Sequence, residues 1–217
     1  MSISVRLQVA AKYVKGFHYL ADCGTDHAYL PIYAIQNGLV EKAIASDNKI
    51  GPITNALANI KDAGLEDRIE LLHASGLVYL NEEVDIASVL GMGGRLIADI
   101  LEEANTSNLK RLVLGPNSET KILRQYLMEH HFNIIAEELV EEKKKFYQVI
   151  VCETGTMNLT ELELEFGPII IKDKSVEFKK YINKLINKLS KALTNIKSDS
   201  EAKTLEARIK SLEEVIS

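Results

Sequence analysis

The sequence predicts an α/β fold in which five parallel strands are extended to seven by a terminal antiparallel hairpin, with a helical hairpin following at the C-terminus. Three observations carry this reading. Over the first 154 residues short β-branched runs alternate with longer helical patterns, as in a parallel sheet covered by crossover helices. Two long β-rich runs then face each other across a charged turn, and from Ser175 onward apolar residues recur with a period of 3.5.

Taken in order, SVRLQVAAKYV (4–14) carries Val5, Val9 and Val14 with Leu7 and Ala10 nearby, and reads as a helix packed ahead of the first strand. YLADC (19–23), KAIAS (42–46), IELLH (69–73), DIASVL (85–90) and RLVLG (111–115) read as buried strands. The helical patterns between them end on stop signals: AYLPIYAIQNG at Gly38 and GPITNALANIKDAG at Gly64, with GGRLIADILEEAN and SETKILRQYLMEH following the fourth and fifth strands. NIIAEELVE (133–141) and KFYQVIVCE (145–153), joined by Glu142-Lys143-Lys144, form the hairpin that closes one sheet edge. In the tail, Phe178, Ile182, Leu185, Leu189, Ala192 and Ile196 step by fours and threes. After a break at Ser198-Asp199-Ser200, Ala202, Leu205, Ile209, Leu212 and Ile216 do the same. This predicts an antiparallel helical hairpin standing off the body; the alternative is an amphipathic pair lying on the sheet.

A length of 217 residues with 46% apolar and 26% charged residues suits one substantial core. No basic-then-apolar leader begins at Met1 and no apolar run reaches the ~20 residues of a membrane span, so a cytoplasmic protein is expected. Cys23 and Cys152 lie at strand ends with no ligand spacing and read as reduced core thiols; neither they nor the five histidines form a metal pattern, and no metal is expected. The net charge of −5 is unevenly spread: residues 172–217 hold 11 Lys and Arg against 7 Asp and Glu, which leaves an excess of nine acids in the rest.

Ligands of open α/β sheets bind beyond the carboxyl ends of the strands, and DCGTDHA (22–28) occupies the first strand-to-helix turn. Gly24 allows close approach of the backbone, while Asp22 and Asp26 place negative charge at the rim. A pyrophosphate cradle wants bare amides and three glycines, of which one is present, so a nicotinamide-dependent oxidoreductase fits poorly. A cationic or zwitterionic ligand such as S-adenosylmethionine fits better; Asp26 as a plain helix cap is the competing explanation. Asp47 ends the second strand, where a carboxylate can accept ribose hydroxyls.

ADCGTDHAYLPI, ASDNKIGP, GLEDRIELLHASGL, VLGMGG with LIADIL, LVLGPN and EELVEEKKKFYQVIV, in that order, resemble the bacterial TrmK type of tRNA adenine-N1 methyltransferase across residues 5 to 168. The resemblance implies a Rossmann-like class I methyltransferase domain (1–168) and a C-terminal coiled-coil hairpin (169–217). The expected reaction uses S-adenosylmethionine to methylate N1 of an adenine in the D arm of tRNA. Carried over, Asp22, Gly24, Asp26 and His27 lie along the methionine part of the cofactor and Asp47 with Asn48 on its ribose. HASGL supports the adenine ring through Ser75 and Gly76, with Ser75 standing where the family usually has Asp. Gly91 belongs to the cofactor side; Met92, Gly93, Gly94 and Pro116 belong to the acceptor side, where either a flat base approaches the glycines or their backbone adopts positive φ. Gly115 stands where the family more often has Gln, which leaves Asn117 as the expected catalytic side chain.

Adenine N1 carries its lone pair in the neutral base, so positioning rather than deprotonation is the main task, and His27 beside Asp26 reads as a shaping residue. N1 is inaccessible in a paired arm, so the nucleotide must leave its stack at a cost of a few kcal/mol. Lys174, Lys179, Lys180, Lys184, Lys188 and Lys191 are accompanied by one acid, Glu177, and the face of Lys180, Lys184 and Lys188 is expected to track tRNA phosphates. The competing explanation is a solvated coiled-coil face. A protein or small-molecule acceptor, or a helical hairpin used only for docking, are the rival functions; the chain is expected to be a monomer.

Overall fold

The computed structural model describes residues 3–196 and 198–217. Seven strands, β1 (Tyr19–Cys23), β2 (Lys42–Asp47), β3 (Ile69–His73), β4 (Ile86–Leu90), β5 (Arg111–Gly115), β6 (Phe132–Glu142) and β7 (Lys145–Thr154), form one sheet in the order β3-β2-β1-β4-β5-β7-β6. The first five are parallel and β7 runs antiparallel to both its neighbours. Nine helices surround it: α1 (Val5–Val14), α2 (Tyr29–Gln36), α3 (Ile50–Ala63), α4 (Gly94–Glu103), α5 (Thr120–Glu129), α6 (Glu161–Phe166), α7 (Pro168–Asp173), α8 (Val176–Leu193) and α9 (Asp199–Ile216) among the described residues.

Alternation along the strands divides the core into two layers. Leu20, Ala43, Ala45, Ile86 and Val113 point to one face and pack against α1, α2 and α3, while Ala21, Ile44, Ala87, Leu112 and Leu114 point to the other and pack against α4 and α5. The central strands are buried on both faces, which is why their sequences are continuous apolar runs. The connections change face between β1 and β4, so the loops after these two adjacent strands diverge and leave a crevice at their carboxyl ends. Cys23 and Cys152 are free buried thiols, and burial pushes the ionisation of both upward.

Several details depart from expectation. The β6–β7 hairpin turns on two residues, Lys143 and Lys144, both at positive φ, and Glu142 pairs within the ladder. Such mirror-image turns normally select Asn-Gly. Here the tip is held from outside: the Glu142 carboxylate accepts from the amide of Val5 at the start of α1 (3.0 Å), and Lys184 donates to the carbonyl of Lys144 (3.2 Å). Helices α6 and α7 answer to no assignment made above, although Thr160 and Glu163 form a reciprocal capping box and Pro168 opens α7 after Gly167.

The helical hairpin stands off the body only in its outer half. Phe178 and Ile182 of α8 and Leu212 and Val215 of α9 are buried with Leu139, Phe166 and Ile170 in a third core cluster, whereas Leu189 and Leu205 further out are only partly covered. Ala192 is exposed, Ile196 lies beyond the end of α8, and α9 has already begun at Asp199. Beneath this base runs a fully buried pair, Arg124–Glu137 (2.8 Å), in which Arg124 also donates to the carbonyls of Leu164, Glu165 and Phe166 and Glu137 accepts from the amide of Ile169.

Candidate functional site

The turn after β1 is strained and held from several sides. Gly24 (φ +72), Asp26 (φ +52) and Ala28 (φ +56) all lie in the left-handed region, which for a residue with a side chain costs roughly 1–2 kcal/mol. The amides of Gly24 and Thr25 both donate to the carbonyl of Ser46 (2.9 Å each), the Asp26 amide approaches the Asp47 carboxylate (3.4 Å), and Asn59 donates to the His27 carbonyl (2.9 Å). Helix α2 begins with Ala28 at its cap and no side-chain cap, so Asp26 is not a capping residue; its side chain is exposed toward the crevice. His27 stacks on Tyr29 (centroids 5.0 Å apart) and lies 3.6 Å from Asp26.

Asp22 is buried at the tip of β1, where its two oxygens accept from Ser88 Oγ (2.6 Å) and Thr25 Oγ1 (2.7 Å). Burial pushes its carboxyl up to about 6; the two hydroxyl bonds oppose that rise and the nearby Asp47 adds to it. Asp47 ends β2, accepting from the Lys49 amide (3.0 Å), and the carbonyl of exposed Asn48 meets His73 Nε2 (3.2 Å). These tips bound a cavity of about 400 Å³ whose polar wall includes Asp26, Asp47 and Asn48 and whose apolar wall includes Pro52, Leu96 and Ile100. Ser75 and Gly76 line it too. Met92, assigned from sequence to the acceptor side, lies in this same cavity, and its methyl group sits where a Cβ on Gly24 would be, 2.2 Å away. A carboxylate that can accept from two hydroxyls, at one end of an apolar slot, is the arrangement a ribose and its attached base require.

The loops after β4 and β5 are laced together. The Gly91 amide donates to Gly115 (2.9 Å), the Asn117 amide to Met92 (2.8 Å), the Gly94 amide to Ser118 (2.8 Å) and Asn117 Nδ2 to the Gly91 carbonyl (2.7 Å). This join explains the glycines differently from close approach of a base. Gly91 is at φ +83, Gly93 is extended at the start of α4, and a Cβ on Gly94 would fall 2.3 Å from the Glu119 carbonyl oxygen. Gly94 and Pro116, grouped from sequence with the acceptor side, are both buried, and Gly94 takes part in the join.

Asn117 is exposed, and its Oδ1 accepts from Arg6 Nη1 (3.2 Å). Arg6 is a site residue that no motif in the sequence marks. It projects from α1 into a second cavity of about 440 Å³ that it shares with Asp22, Asp26, His27, Tyr29 and Asn117, and its guanidinium lies over the ring of Tyr147 (5.0 Å). It makes no ion pair among the described residues, and its buried Nε is without a partner. No spacing rule links residue 6 to residue 117, and on a helix that also carries Gln8 and Lys12 one more polar residue gives no signal.

On the far side of Asn117 opens a groove of about 690 Å³ between the β6–β7 hairpin and α8, lined by Phe146, Tyr147, Tyr181, Lys184 and Lys188. Of the three lysines singled out from sequence, Lys180 is paired with Glu141 (3.2 Å) and faces an outer depression with Lys191, while Lys184 and Lys188 also line the groove. Among the described residues no cluster of His, Cys, Asp and Glu is arranged to hold a metal ion, and no helix is long and apolar enough to cross a membrane.

Comparison with known proteins gives a consistent result. The family model for TrmK, tRNA (adenine(22)-N(1))-methyltransferase, matches residues 20–217. A Bacillus subtilis tRNA (adenine(22)-N(1))-methyltransferase is 32% identical over 100% of this chain and 98% of its own length. The crystal structure of Sp1610 from Streptococcus pneumoniae in complex with S-adenosyl-L-methionine superposes with a TM-score of 0.92 at 38% identity, covering 100% of both chains. M. capricolum TrmK bound to S-adenosyl-homocysteine gives 0.87 at 30% identity, covering 100% of this chain and 98% of that one.

Proposed function

The chain belongs to the TrmK family of tRNA (adenine(22)-N(1))-methyltransferases, and we infer that it transfers a methyl group from S-adenosylmethionine to N1 of an adenine in the D arm of tRNA. The observation that carries this reading is the convergence of Asp22, Asp26 and Asp47 on the crevice at the tips of β1 and β2, with the Gly91–Asn117 join closing its other side. Bound there, S-adenosylmethionine supplies a methyl group on a positively charged sulfur. Asp47 and Asn48 hold its ribose, Ser75, Gly76 and Gly91 flank the nucleoside, and Asp22, Gly24, Asp26 and His27 lie along its methionine part. Three carboxylates suit a ligand with a sulfonium and an ammonium; they would repel a pyrophosphate.

Asn117 is the residue we assign to the base. Its amide carries two lone pairs and two N–H groups, of which Arg6 and the Gly91 carbonyl use one each. The remaining acceptor and donor match the exocyclic amine and N7 of adenine, the pairing an Asn side chain makes with that edge, and this leaves N1 free to react. No general base is needed, since N1 is neutral with an available lone pair. Extruding the adenine costs a few kcal/mol, which phosphate contacts from residues 169–217, Lys180, Lys184 and Lys188 foremost, help to offset. Acting on tRNA as a monomer in the cytoplasm is part of the same reading.

The test is incubation of the protein with isotopically labelled S-adenosylmethionine and unmodified bulk tRNA, followed by nucleoside mapping. N1-methyladenosine at one D-arm position is expected; label on another nucleoside, or on protein alone, would refute the assignment.

A further inference from the structure

The groove beyond Asn117 contributes nothing to the cofactor crevice, yet it shares Asn117 as a wall with the cavity that holds Arg6 and Asp22. We propose that it is a second nucleotide site, which takes one unpaired nucleotide adjacent to the target adenosine, its base against Phe146 and Tyr181 and its phosphate on Lys184 and Lys188. The proposal rests on the tRNA methyltransferase reading and extends it from one extruded base to two neighbouring ones.

Three features support it. First, the charge is one-sided: three lysines, Lys145, Lys184 and Lys188, line the groove and no carboxylate does, in a chain whose net charge is −5. A polyanion is the partner that charge selects. Second, the surface between the lysines is aromatic. Phe146 and Tyr181 are tilted at 59° with centroids 5.3 Å apart and both are partly exposed, so neither ring hides its face against the other as a stacked pair would. Aromatic rings flanked by cations are the sequence-tolerant platform that single-stranded nucleic acids use. Third, the volume of about 690 Å³ falls in the range of small-ligand pockets, roughly 300–1,000 Å³, and the opening is continuous with Asn117, so a nucleotide there is joined through one phosphate to a base held at Asn117.

The groove is also held in shape. Lys184 donates to the carbonyl of Lys144 at the hairpin tip and sits 5.5 Å from the Phe146 centroid, while Arg6 lies over Tyr147 at the groove's inner end. An aromatic pair that served only to cap the third core cluster would not need a lysine-lined opening in front of it.

The experiment measures methylation by the full chain on tRNA carrying an abasic residue immediately 5′ or 3′ of the target adenosine. Removal of the base on one side should lower kcat/KM by roughly 10- to 100-fold, the range of one lost base–aromatic stack. Phe146→Leu, which keeps apolar bulk, should lower it similarly on intact tRNA, add nothing further on the abasic tRNA, and leave S-adenosylmethionine affinity unchanged by calorimetry; Phe146→Tyr should restore activity. Tyr181→Leu provides the same comparison should Phe146→Leu lower the melting temperature. Neutral abasic substitutions on both sides, as a groove for an acidic peptide would give, or losses that multiply, would overturn the second site while leaving the enzyme reading intact. Absence of methylation on any tRNA by the wild type would instead bring down the reading beneath it.

Discussion

On either side of Asn117 the molecule presents opposite chemistry. Toward β1 and β2 the walls carry Asp22, Asp26 and Asp47; toward α8 they carry Lys145, Lys184 and Lys188. The acidic side is made by strand tips and a strained turn held by the bonds of Gly24 and Thr25 to Ser46 and of Ser88 and Thr25 to Asp22, whereas the basic side is made by exposed side chains on one helix and one hairpin. The difference teaches how one active centre can take a small cation and a large polyanion together: Asp22 and Asp47 are buried at strand tips, where a charge acts strongly over a short distance, and the solvated lysines, in the proposed site, would act on phosphates collectively. Lys49 also lines the crevice, and Arg6, a second cation on the acidic side, is turned onto Asn117 and Tyr147 rather than onto a carboxylate.

The comparison breaks most completely if the base of the arm is undone. Arg124→Met leaves the Glu137 carboxylate buried without its partner and should cost about 3–5 kcal/mol in urea unfolding, with tRNA affinity lost before S-adenosylmethionine affinity; Arg124→Met with Glu137→Leu should recover most of the stability. Next in size is the buried charge of the acidic side. Asp22 has a folded pKa of about 6, above the usual 3.8, so its contribution to stability is full below 3.8 and is lost as pH rises through 6. Asp22→Asn should therefore gain stability relative to wild type between pH 4 and 7, by up to about 3 kcal/mol, while binding S-adenosylmethionine more weakly at pH 7; parallel unfolding and calorimetric titrations across this range check both. Gly94→Ala sharpens the comparison at the join: its Cβ must displace the Glu119 backbone, so Asn117 shifts, and kcat should fall by about 100-fold with donor affinity unchanged in the same calorimetric titration.

Much of this architecture was legible because local rules and global packing agree. The strands are bounded by glycines and charges, their apolar runs meet the requirement for burial on both faces, and Asp22 and Asp47 were placed by counting along a parallel sheet. What escaped did so for physical reasons. Heptad positions such as Phe178 and Ile182 look the same whether their partner is α9 or the strand β6, so the docked base could not be distinguished from a free arm. The glycines of GMGG were open to two explanations in sequence, and the Glu119 carbonyl that decides the case for Gly94 lies 25 positions away. The Arg6–Asn117 contact spans 111 positions, and the groove of Phe146, Tyr181 and Lys184 arises from two elements whose separation in the chain carries no pattern. By contrast the capping box of Thr160 and Glu163 was there to be read.

The most direct measurement of the central claim is calorimetric titration of both ligands into two variants, Asp47→Asn and Lys184→Glu with Lys188→Glu. The first should weaken S-adenosylmethionine by about tenfold or more and leave tRNA affinity intact. The second should do the reverse and reduce the slope of log affinity against log salt by roughly one to two. If either variant weakened the ligand assigned to the other side, or neither ligand noticed its own, the division of charge around Asn117 would not be the basis of recognition.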